Sequence, residues 1–294
     1  MKKQYPTFDI FHLVTNKISN DMLNADRFRG YLINNPTIQN IHKHSFYHLV
    51  YFTSGKGRHV IDFKSYPIEP GCIYFMSPGQ VHNWEFESDV DGYVVNFSAT
   101  FFDKLFLSSS AVDQFPFFNV FSNEQMMKIK DDMRSEVVKI FEALLNELNN
   151  NTYQTPMMIA AELLRLFVIA SRELGPVPVL SRTSYNSILL KQFFDLIQDN
   201  FKDMRLPKDY AALLYITSNH LNFLCKDQLN MSAGEIIRSR VLLEAKRMLV
   251  NYELSVANIA MELNFFDTSY FIKFFKKYTQ LTPEAFRKQY YSKP

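Results

Sequence analysis

The pattern of apolar and polar positions changes character along this chain of 294 residues. Up to about residue 122, short runs of aromatic and β-branched residues are separated by turn signals such as Ser54-Gly55-Lys56-Gly57 and Ser77-Pro78-Gly79. Short strands at a spacing of roughly 10 residues are typical of a β-sandwich or a small barrel. This part of the chain is therefore predicted to be a β domain.

Two helical segments are predicted next. Asn123 to Asn149 has apolar residues at a helical period, and Thr155-Pro156 opens a second helix that runs to about Leu174. Their apolar surface is sufficient to pack on the β domain, to pair with a second chain, or to do both. Gly175-Pro176-Val177-Pro178 then stops the helix and begins a linker. The predicted organisation is a domain at 1–175, a linker at 176–185 and a domain at 186–294.

The last domain is helical throughout, and its pattern repeats. Each copy has a short helix, a turn with a small polar cap and a second helix that carries lysine. The corresponding residues are Ala211, Leu214, Thr217 and Leu221 in the first copy, and Ala260, Leu263, Asp267 and Phe271 in the second. Such a pair predicts two helix-turn-helix units, which would enter successive major grooves about 34 Å apart. Ser232 and Glu235 form a capping box for the helix that joins the two units.

Composition and charge narrow the class of protein. The chain is 47% apolar and 15% aromatic, which favours folded domains. Residues 186–294 contain 15 Lys and Arg against 11 Asp and Glu, so the net charge of +4 lies where DNA contact would need it. Cys72 and Cys225 are too far apart for a metal-ligand or disulfide motif. With no spanning apolar run and no signal peptide, a cytoplasmic protein that does not bind membranes is expected.

Residues 188–289 resemble the AraC/XylS family of bacterial transcription regulators. IAMELNFFDTSYFIKFFKKYTQLTPEAFR contains the family's Ile-Ala, aromatic-x-x-x-Ser-Tyr-Phe, Phe-Lys-Lys and Thr-Pro-x-x-aromatic-Arg segments. The family usually has Gly at the positions of Asn230, Asn264 and Gln280. Asn accepts a left-handed helix end nearly as well as Gly, whereas Gln280 is expected to shift its turn.

The first domain resembles the family's sensor domain. The matching segments are His42 to His48, the Gly55-Lys56-Gly57 turn, Pro70-Gly71, and Pro78 to His82. The resemblance implies an α+β protein of two domains. The first would be a cupin-like β barrel (jelly roll) that binds an effector, followed by two dimerisation helices. The second would be an all-α double helix-turn-helix domain of seven helices.

Residues on the outward faces of the two recognition helices are predicted to contact DNA. Asn reads adenine, Phe contacts the thymine methyl group, and Lys contacts phosphate. Replacement of Asn222 by Ala is expected to change base preference at one position. The predicted DNA-binding residues are Ser218, Asn219, Asn222, Phe223, Lys226, Thr268, Ser269, Ile272, Lys273, Lys276, Lys277 and Arg287.

Four histidines share the strand parity of Phe46, Trp84 and Phe86, so we expect them to converge inside the barrel. His-x-His with a distant His resembles metal-binding cupins, although His48 and Phe86 replace that family's Glu and Asn. The preferred interpretation is contact with an organic effector or a scaffold role, then metal binding, then catalysis; no cofactor or metal is expected. The predicted effector-binding residues are His42, His44, His48, Arg58, Tyr74, His82 and Trp84, with His59 a further pocket candidate outside that set.

The predicted function is sequence-specific, effector-controlled regulation of transcription, with no enzyme activity. The expected partners are double-stranded promoter DNA, a small-molecule effector, RNA polymerase and a second copy of the chain. Two alternatives stay open. One is a metal-dependent cupin enzyme fused to a DNA-binding domain. The other is a constitutive regulator whose β domain is purely structural.

Overall fold

The computed structural model of the chain describes residues 6–13, 22–105, 112, 115–118, 124–174, 185–251 and 253–291. The chain divides into two compact units, one within Pro6–Val177 and one within Pro178–Pro294. Of the predicted linker at 176–185, only Tyr185 lies among the described residues, and the exact domain bounds stay a prediction. Each unit is described by itself.

The described part of the first unit contains ten strands in two sheets. In chain order they are β1 (Thr7–Phe8), β2 (Leu23–Arg27), β3 (His42–His44), β4 (Tyr47–Ser54), β5 (Gly57–Ile61), β6 (Lys64–Ile68), β7 (Cys72–Met76), β8 (Val81–Phe86), β9 (Asp91–Phe97) and β10 (Met126–Lys128). One sheet has the order β1-β3-β8-β5-β6 and the other β10-β7-β4-β9-β2. All neighbours are antiparallel except β1 and β3.

The second of these sheets is buried on both faces, which explains why β4, β7 and β9 have almost unbroken apolar sequences. One face packs against helices: the ring of Tyr51 lies 5.6 Å from that of Phe141, and Phe75 lies 5.9 Å from Phe167. The other face packs against the first sheet. The side chains of this interior core include Val50, Phe52, Tyr74, Met76 and Val94 from one sheet and Ile61, Ile68 and Trp84 from the other.

Three α-helices complete the described part of this unit: α1 (Phe28–Asn34), α2 (Arg134–Asn150) and α3 (Thr155–Glu173). Short 3₁₀ turns lie at Ile10–His12, Pro36–Gln39, Asp103–Leu105, Pro116–Phe118 and Asp131–Met133. The sequence did not predict α1, whose Phe28 packs between the sheets at 4.9 Å from Phe52 and 5.5 Å from Trp84. The predicted start of the next helix at Asn123 is wrong, because Met126–Lys128 pairs with β7 and the helix begins at Arg134.

Seven helices form the described part of the second unit. They are α4 (Tyr185–Asn200), α5 (Pro207–Leu213), α6 (Ser218–Leu229), α7 (Ala233–Leu249), α8 (Val256–Glu262), α9 (Thr268–Thr279) and α10 (Pro283–Tyr291). The predicted α+β class, with a sheet-rich first domain and a helical second domain, is confirmed. No helix in the described part of the chain is both long enough and apolar enough to cross a bilayer.

The two helix-turn-helix units, α5–α6 and α8–α9, have equivalent turns. The Ile216 amide donates to the Ala211 carbonyl at 3.0 Å, and the Phe265 amide donates to the Ala260 carbonyl at 2.9 Å. Tyr215 and Asn264 occupy the same left-handed position, with φ of 55° and 52°. The second turn is one residue longer, spanning 263–267 against 214–217, and its additional residue, Phe266, is 96% exposed.

Side-chain caps begin the helices as the sequence predicted. Thr217 accepts the His220 amide proton at 3.1 Å, and Asp267 accepts that of Tyr270 at 2.7 Å. Ser232 and Glu235 form the capping box of α7. Each cap satisfies an amide that has no partner within its helix.

The turn after α9 has the left-handed helix end that the sequence analysis expected Gln280 to disturb. Gln280 has φ of 62° and ψ of 2°, close to the values of 54° and 20° at Asn230 after α6. The expectation that Gln280 shifts this turn is therefore wrong. Gln280 adopts the left-handed conformation, which for a residue with a Cβ costs roughly 1–2 kcal/mol.

Replacement of Gln280 by Gly should raise the free energy of unfolding of the second unit by about 1 kcal/mol, because Gly adopts positive φ without that cost. This free energy is measured by urea unfolding, with hydrogen exchange in residues 268–291 as the readout. Asn230→Gly is the matched control and should change stability by less than about 0.5 kcal/mol, since Asn tolerates this conformation. A loss of stability in Gln280→Gly would contradict the argument.

Candidate nucleic-acid interface and histidine cluster

The first recognition helix, α6, exposes a small polar and aromatic surface. Leu221, Leu224 and Cys225 are buried. On the opposite side, Asn219 and Lys226 are exposed, and Phe223 is 62% exposed. Ser218 is half-buried at the start of the helix. The predicted outward face is therefore present, with one exception.

The Asn222 side chain is held by two hydrogen bonds within the domain. Its side-chain NH₂ donates to the Ser218 carbonyl at 3.0 Å, and its oxygen accepts the Ala233 amide proton at 3.1 Å. The second bond satisfies an amide at the start of α7 and joins the two helices. The prediction that Asn222 reads a base is thus at odds with its position, because the NH₂ group and the oxygen of the amide each make a hydrogen bond within the domain.

The second recognition helix, α9, carries most of the exposed charge. Phe271 and Phe275 are buried, whereas Lys273, Lys276 and Lys277 are exposed. Ser269 is also exposed, and Thr268 and Ile272 are half-buried. The Lys277 ammonium lies 5.4 Å from the centre of the Tyr278 ring, within range of a cation–π contact.

Arg287 was predicted to bind DNA, and the structure corrects this. The residue is only 7% exposed. Its guanidinium donates to the Leu249 carbonyl at 3.0 Å and to the Leu254 carbonyl at 2.7 Å. It therefore satisfies carbonyls at the end of α7 and in the loop before α8, and holds the second helix-turn-helix unit in place.

Exposed aromatic residues near the recognition helices were missed in the sequence. Tyr215 and Phe266, in the two turns, are each 96% exposed, and Tyr270, on α9, is 59% exposed. Large aromatic residues within the turns of a helix-turn-helix pattern were the available signal, since a short turn can pack only some of them: Phe265 packs on Phe271, whereas Phe266 beside it is exposed.

Five histidines converge inside the first unit. The Nε2 atom of His44 lies 3.1 Å from Nε2 of His42 and 2.9 Å from Nε2 of His82. Nε2 of His59 lies 3.0 Å from Nδ1 of His82, and the His48 ring stacks on that of His44 at 4.8 Å between centroids. Each is at most 2% exposed. The predicted convergence of His42, His44, His48 and His82 is present, and His59 is an additional member that the effector-binding set omitted.

Burial keeps these imidazoles neutral, because the charged form would lose its hydration. Burial lowers the pKa of His42 to about 4, against a smaller opposing effect of the Asn40 carbonyl. Burial also lowers the pKa of His48 to about 3, although the Asn96 side chain favours the charged form. For His44, His59 and His82, burial and then repulsion from neighbouring imidazoles lower the pKa well below its ordinary value.

The remaining predicted pocket residues divide between the two faces of their strands. Tyr74 and Trp84 are buried in the interior, and the Tyr74 hydroxyl donates to the Pro67 carbonyl. Arg58 is a correction, because it points outward, and its guanidinium lies 3.6 Å from the Glu85 carboxylate. In a strand, neighbouring side chains face opposite sides, so that only one of Arg58 and His59 can face the interior.

Among the described residues, His42, His44 and His82 are the group whose positions suit a metal ion. One ring nitrogen from each lies within 4.8 Å of the others. Neutral imidazole is the form that coordinates zinc, copper, iron or nickel. The geometry is therefore compatible with a site that the sequence interpretation ranked second.

Two family models match the chain, one to each unit. A model of the AraC-like ligand-binding domain matches residues 33–167, and a helix-turn-helix domain model matches residues 210–289. The transcriptional activator RhaR of Mannheimia succiniciproducens is 21% identical over 254 residues, which cover 86% of this chain and 88% of RhaR. The uncharacterized transcriptional regulator YfiF of Bacillus subtilis is 23% identical over 267 residues, 85% of this chain and 79% of YfiF.

A solved structure that is similar to this chain is ToxT of Vibrio cholerae O395. It has a TM-score of 0.46 and 12% sequence identity to this chain, and the match covers 90% of this chain and 96% of ToxT.

Replacement of Arg287 by Met should lower the free energy of unfolding of the second unit by about 2–4 kcal/mol, because two carbonyls lose a charged donor. This free energy is measured by urea unfolding, with hydrogen exchange in α7 and α10 as the readout. Gln289→Met, at an exposed position of the same helix, is the control, with a change below about 0.5 kcal/mol. DNA binding by the folded variant should keep the wild-type salt dependence; a shallower dependence would restore Arg287 as a phosphate contact.

Asn219 and Asn222 provide a matched pair one helical turn apart. Replacement of the exposed Asn219 by Ala should change discrimination at one base position by about 1–3 kcal/mol. Asn222→Ala should leave every base preference intact and lower stability by about 1 kcal/mol. Binding titrations over a library of single-base variants of the target site, together with urea unfolding, test both. Altered base preference in Asn222→Ala alone would reverse the assignment.

Proposed function

Since the chain belongs to the AraC/XylS family of transcription regulators, we propose that its two helix-turn-helix units bind promoter DNA as one rigid pair under the control of the ligand-binding domain. The observation that carries this is the presence of two equivalent, capped turns with exposed recognition helices in one compact unit. Family membership and the two domain types make the protein a DNA-binding transcription regulator with an N-terminal ligand-binding domain.

The two recognition helices would divide the work of DNA binding. Four exposed ammonium groups would neutralise phosphates: those of Lys226 on α6 and of Lys273, Lys276 and Lys277 on α9. Contacts with phosphate do not depend on the base sequence. The residues proposed to face base edges are Ser218, Asn219 and Phe223 on α6, and Thr268, Ser269 and Ile272 on α9. The first helix offers the better base readers and the second the stronger electrostatic attraction.

Contacts between the two helix-turn-helix units support their action as a pair. The Arg205 guanidinium, before α5, donates to the Leu263 carbonyl in the second turn and lies 4.5 Å from the centre of the Phe265 ring. The Asn264 side chain donates to Asp203 at 2.5 Å. These contacts hold the turn of the second helix-turn-helix unit against the segment that precedes α5, the first helix of the other. The separation of the recognition helices would therefore select the spacing of the two half-sites.

The effector would bind among the interior residues of the β domain. His42, His44, His48, His82, Tyr74 and Trp84 face that interior, and Arg58 is left out because it lies on the outer face. A ligand bound more tightly in one arrangement of the protein shifts the population toward it. Such a shift, transmitted through the linker, would change how the DNA-binding units engage the promoter.

Helices α2 and α3 would also form a homodimer. Their inner faces cover the β domain, but Met157, Met158 and Val168 on α3 remain 41–60% exposed. Apolar side chains exposed along one helix favour association with a partner. A promoter-bound regulator of this kind would act in the bacterial cytoplasm and contact RNA polymerase. RhaR of Mannheimia succiniciproducens is a transcriptional activator. We propose no enzymatic reaction for this chain.

Replacement of Lys276 by Ala should weaken binding equally on all DNA sequences and make the slope of log K against log salt shallower by about 1, because one phosphate contact is lost. Fluorescence anisotropy at several salt concentrations measures both quantities. Lys191→Ala removes another exposed lysine, on α4 and outside both helix-turn-helix units, and should leave the slope unchanged. Equal slopes for wild type and Lys276→Ala would refute the proposed contact.

A further inference from the structure

Five of the seven histidines of the chain lie inside the first unit, and DNA binding uses none of them. They are His42, His44, His48, His59 and His82. Burial of polar rings is costly unless their nitrogens are paired. Nδ1 of His44, Nε2 of His48 and Nδ1 of His59 are buried without a hydrogen-bond partner among the described residues. This concentration of imidazoles requires a physical explanation.

Two of the rings have their protons fixed by neighbours. A neutral imidazole carries one N–H and one lone pair. Nδ1 of His42 lies 2.7 Å from the Asn40 carbonyl oxygen, which can only accept, so that Nε2 of His42 presents its lone pair to the cluster. Nδ1 of His48 lies 2.5 Å from the Asn96 side-chain oxygen, whose amide group donates to Asn24 at 2.7 Å. Nε2 of His48 therefore also carries a lone pair.

The central contact then has too few protons. Nε2 of His44 is close to Nε2 of both His42 and His82, at 3.1 and 2.9 Å. If that nitrogen carries a proton, the N–H can point at only one of its two neighbours. If it carries a lone pair, it faces the lone pair of His42. A cation removes this conflict, because all three nitrogens can direct lone pairs at it.

We propose that His42, His44 and His82 bind a divalent first-row transition metal ion through their Nε2 atoms, with His48 beside them as a further donor. Zinc binds imidazole at about 2.0–2.1 Å, which places tetrahedral ligand nitrogens about 3.3 Å apart. Nε2 of His44 is within tenths of an ångström of that spacing from Nε2 of His42 and from Nε2 of His82, and one ring nitrogen from each of the three residues lies within 4.8 Å of the others. The bond from His42 to the Asn40 carbonyl is the outer contact that orients metal-binding histidines.

The chemistry of the donors restricts the metal. All three ligands are neutral nitrogens, which favour zinc, nickel, cobalt, copper or iron over magnesium and calcium. Three protein ligands leave one tetrahedral position, which His48 or a hydroxide or an anionic molecule can take. This assignment rests on the proposed function, since it names the class of ligand that the ligand-binding domain takes.

The test uses the full chain without a histidine tag, stripped with a chelator and titrated with Co²⁺. Visible absorption of the bound ion reports the donor set, and calorimetry reports stoichiometry and affinity. We expect about one Co²⁺ per chain, displaced by Zn²⁺. His44→Gln and His82→Gln should each weaken binding at least about 100-fold, more than the loss of an outer-shell contact. His12→Gln and His220→Gln, which replace the two histidines outside the cluster, should bind as wild type does.

Near-UV circular dichroism shows whether a variant with a buried substitution is folded. If one is not, the metal stoichiometry of the wild type and of the two control variants decides the test. Wild-type protein that binds no Co²⁺ or Zn²⁺, or binding lost in His12→Gln or His220→Gln, would overturn the site. Anisotropy with promoter DNA on the same samples separates the two proposals. DNA binding without metal binding would overturn the metal site alone, and metal binding without DNA binding would overturn the proposed function alone.

Discussion

Burial of the β10-β7-β4-β9-β2 sheet on both faces is the constraint on which the first unit depends. Along β4, Leu49 and Tyr51 pack toward α2 and α3, so that His48, Val50 and Phe52 must face the other sheet. A shift of one residue would place His48 under the helices and two large apolar side chains among the histidines. The packing of the helices therefore fixes where the interior imidazoles lie, although it contributes none of their atoms.

In the second unit, a few polar contacts set the geometry of a surface made of simple helices. Left-handed residues end α6 and α9, and caps begin them. The Arg205 guanidinium donates to a carbonyl in the second turn, and the Arg287 guanidinium donates to carbonyls at the end of α7 and before α8. The two turns differ by one residue, Phe266, although their internal hydrogen bonds match. The repeat therefore gives two similar frameworks that present different side chains, which suits the recognition of two unlike half-sites.

The parts that the sequence predicted depend on local periodicity. Strand alternation placed four histidines inside the barrel, and cap residues located the starts of the recognition helices. The two failures among the predicted DNA-binding residues involve contacts between distant positions. Asn222 bonds to a residue 11 positions away, and Arg287 to residues 33 and 38 positions away, so no local pattern marks either as structural. His59 could have been assigned, because alternation along β5 places it opposite Arg58.

The filled interior also bears on how a ligand could act on the rest of the protein. An organic effector would have to displace imidazole or indole rings that already pack 4.1–5.4 Å apart between centroids, as between His42, His48 and His82. A metal ion needs only nitrogens that can converge on it, and ring nitrogens of His42, His44 and His82 already lie within 4.8 Å of one another. Because His48 and Tyr51 belong to the same strand, and the Tyr51 ring stacks on Phe141 of α2, movement of β4 would reach that helix directly. A small change at the histidines is therefore positioned to alter the surface on which we propose that the protein dimerises.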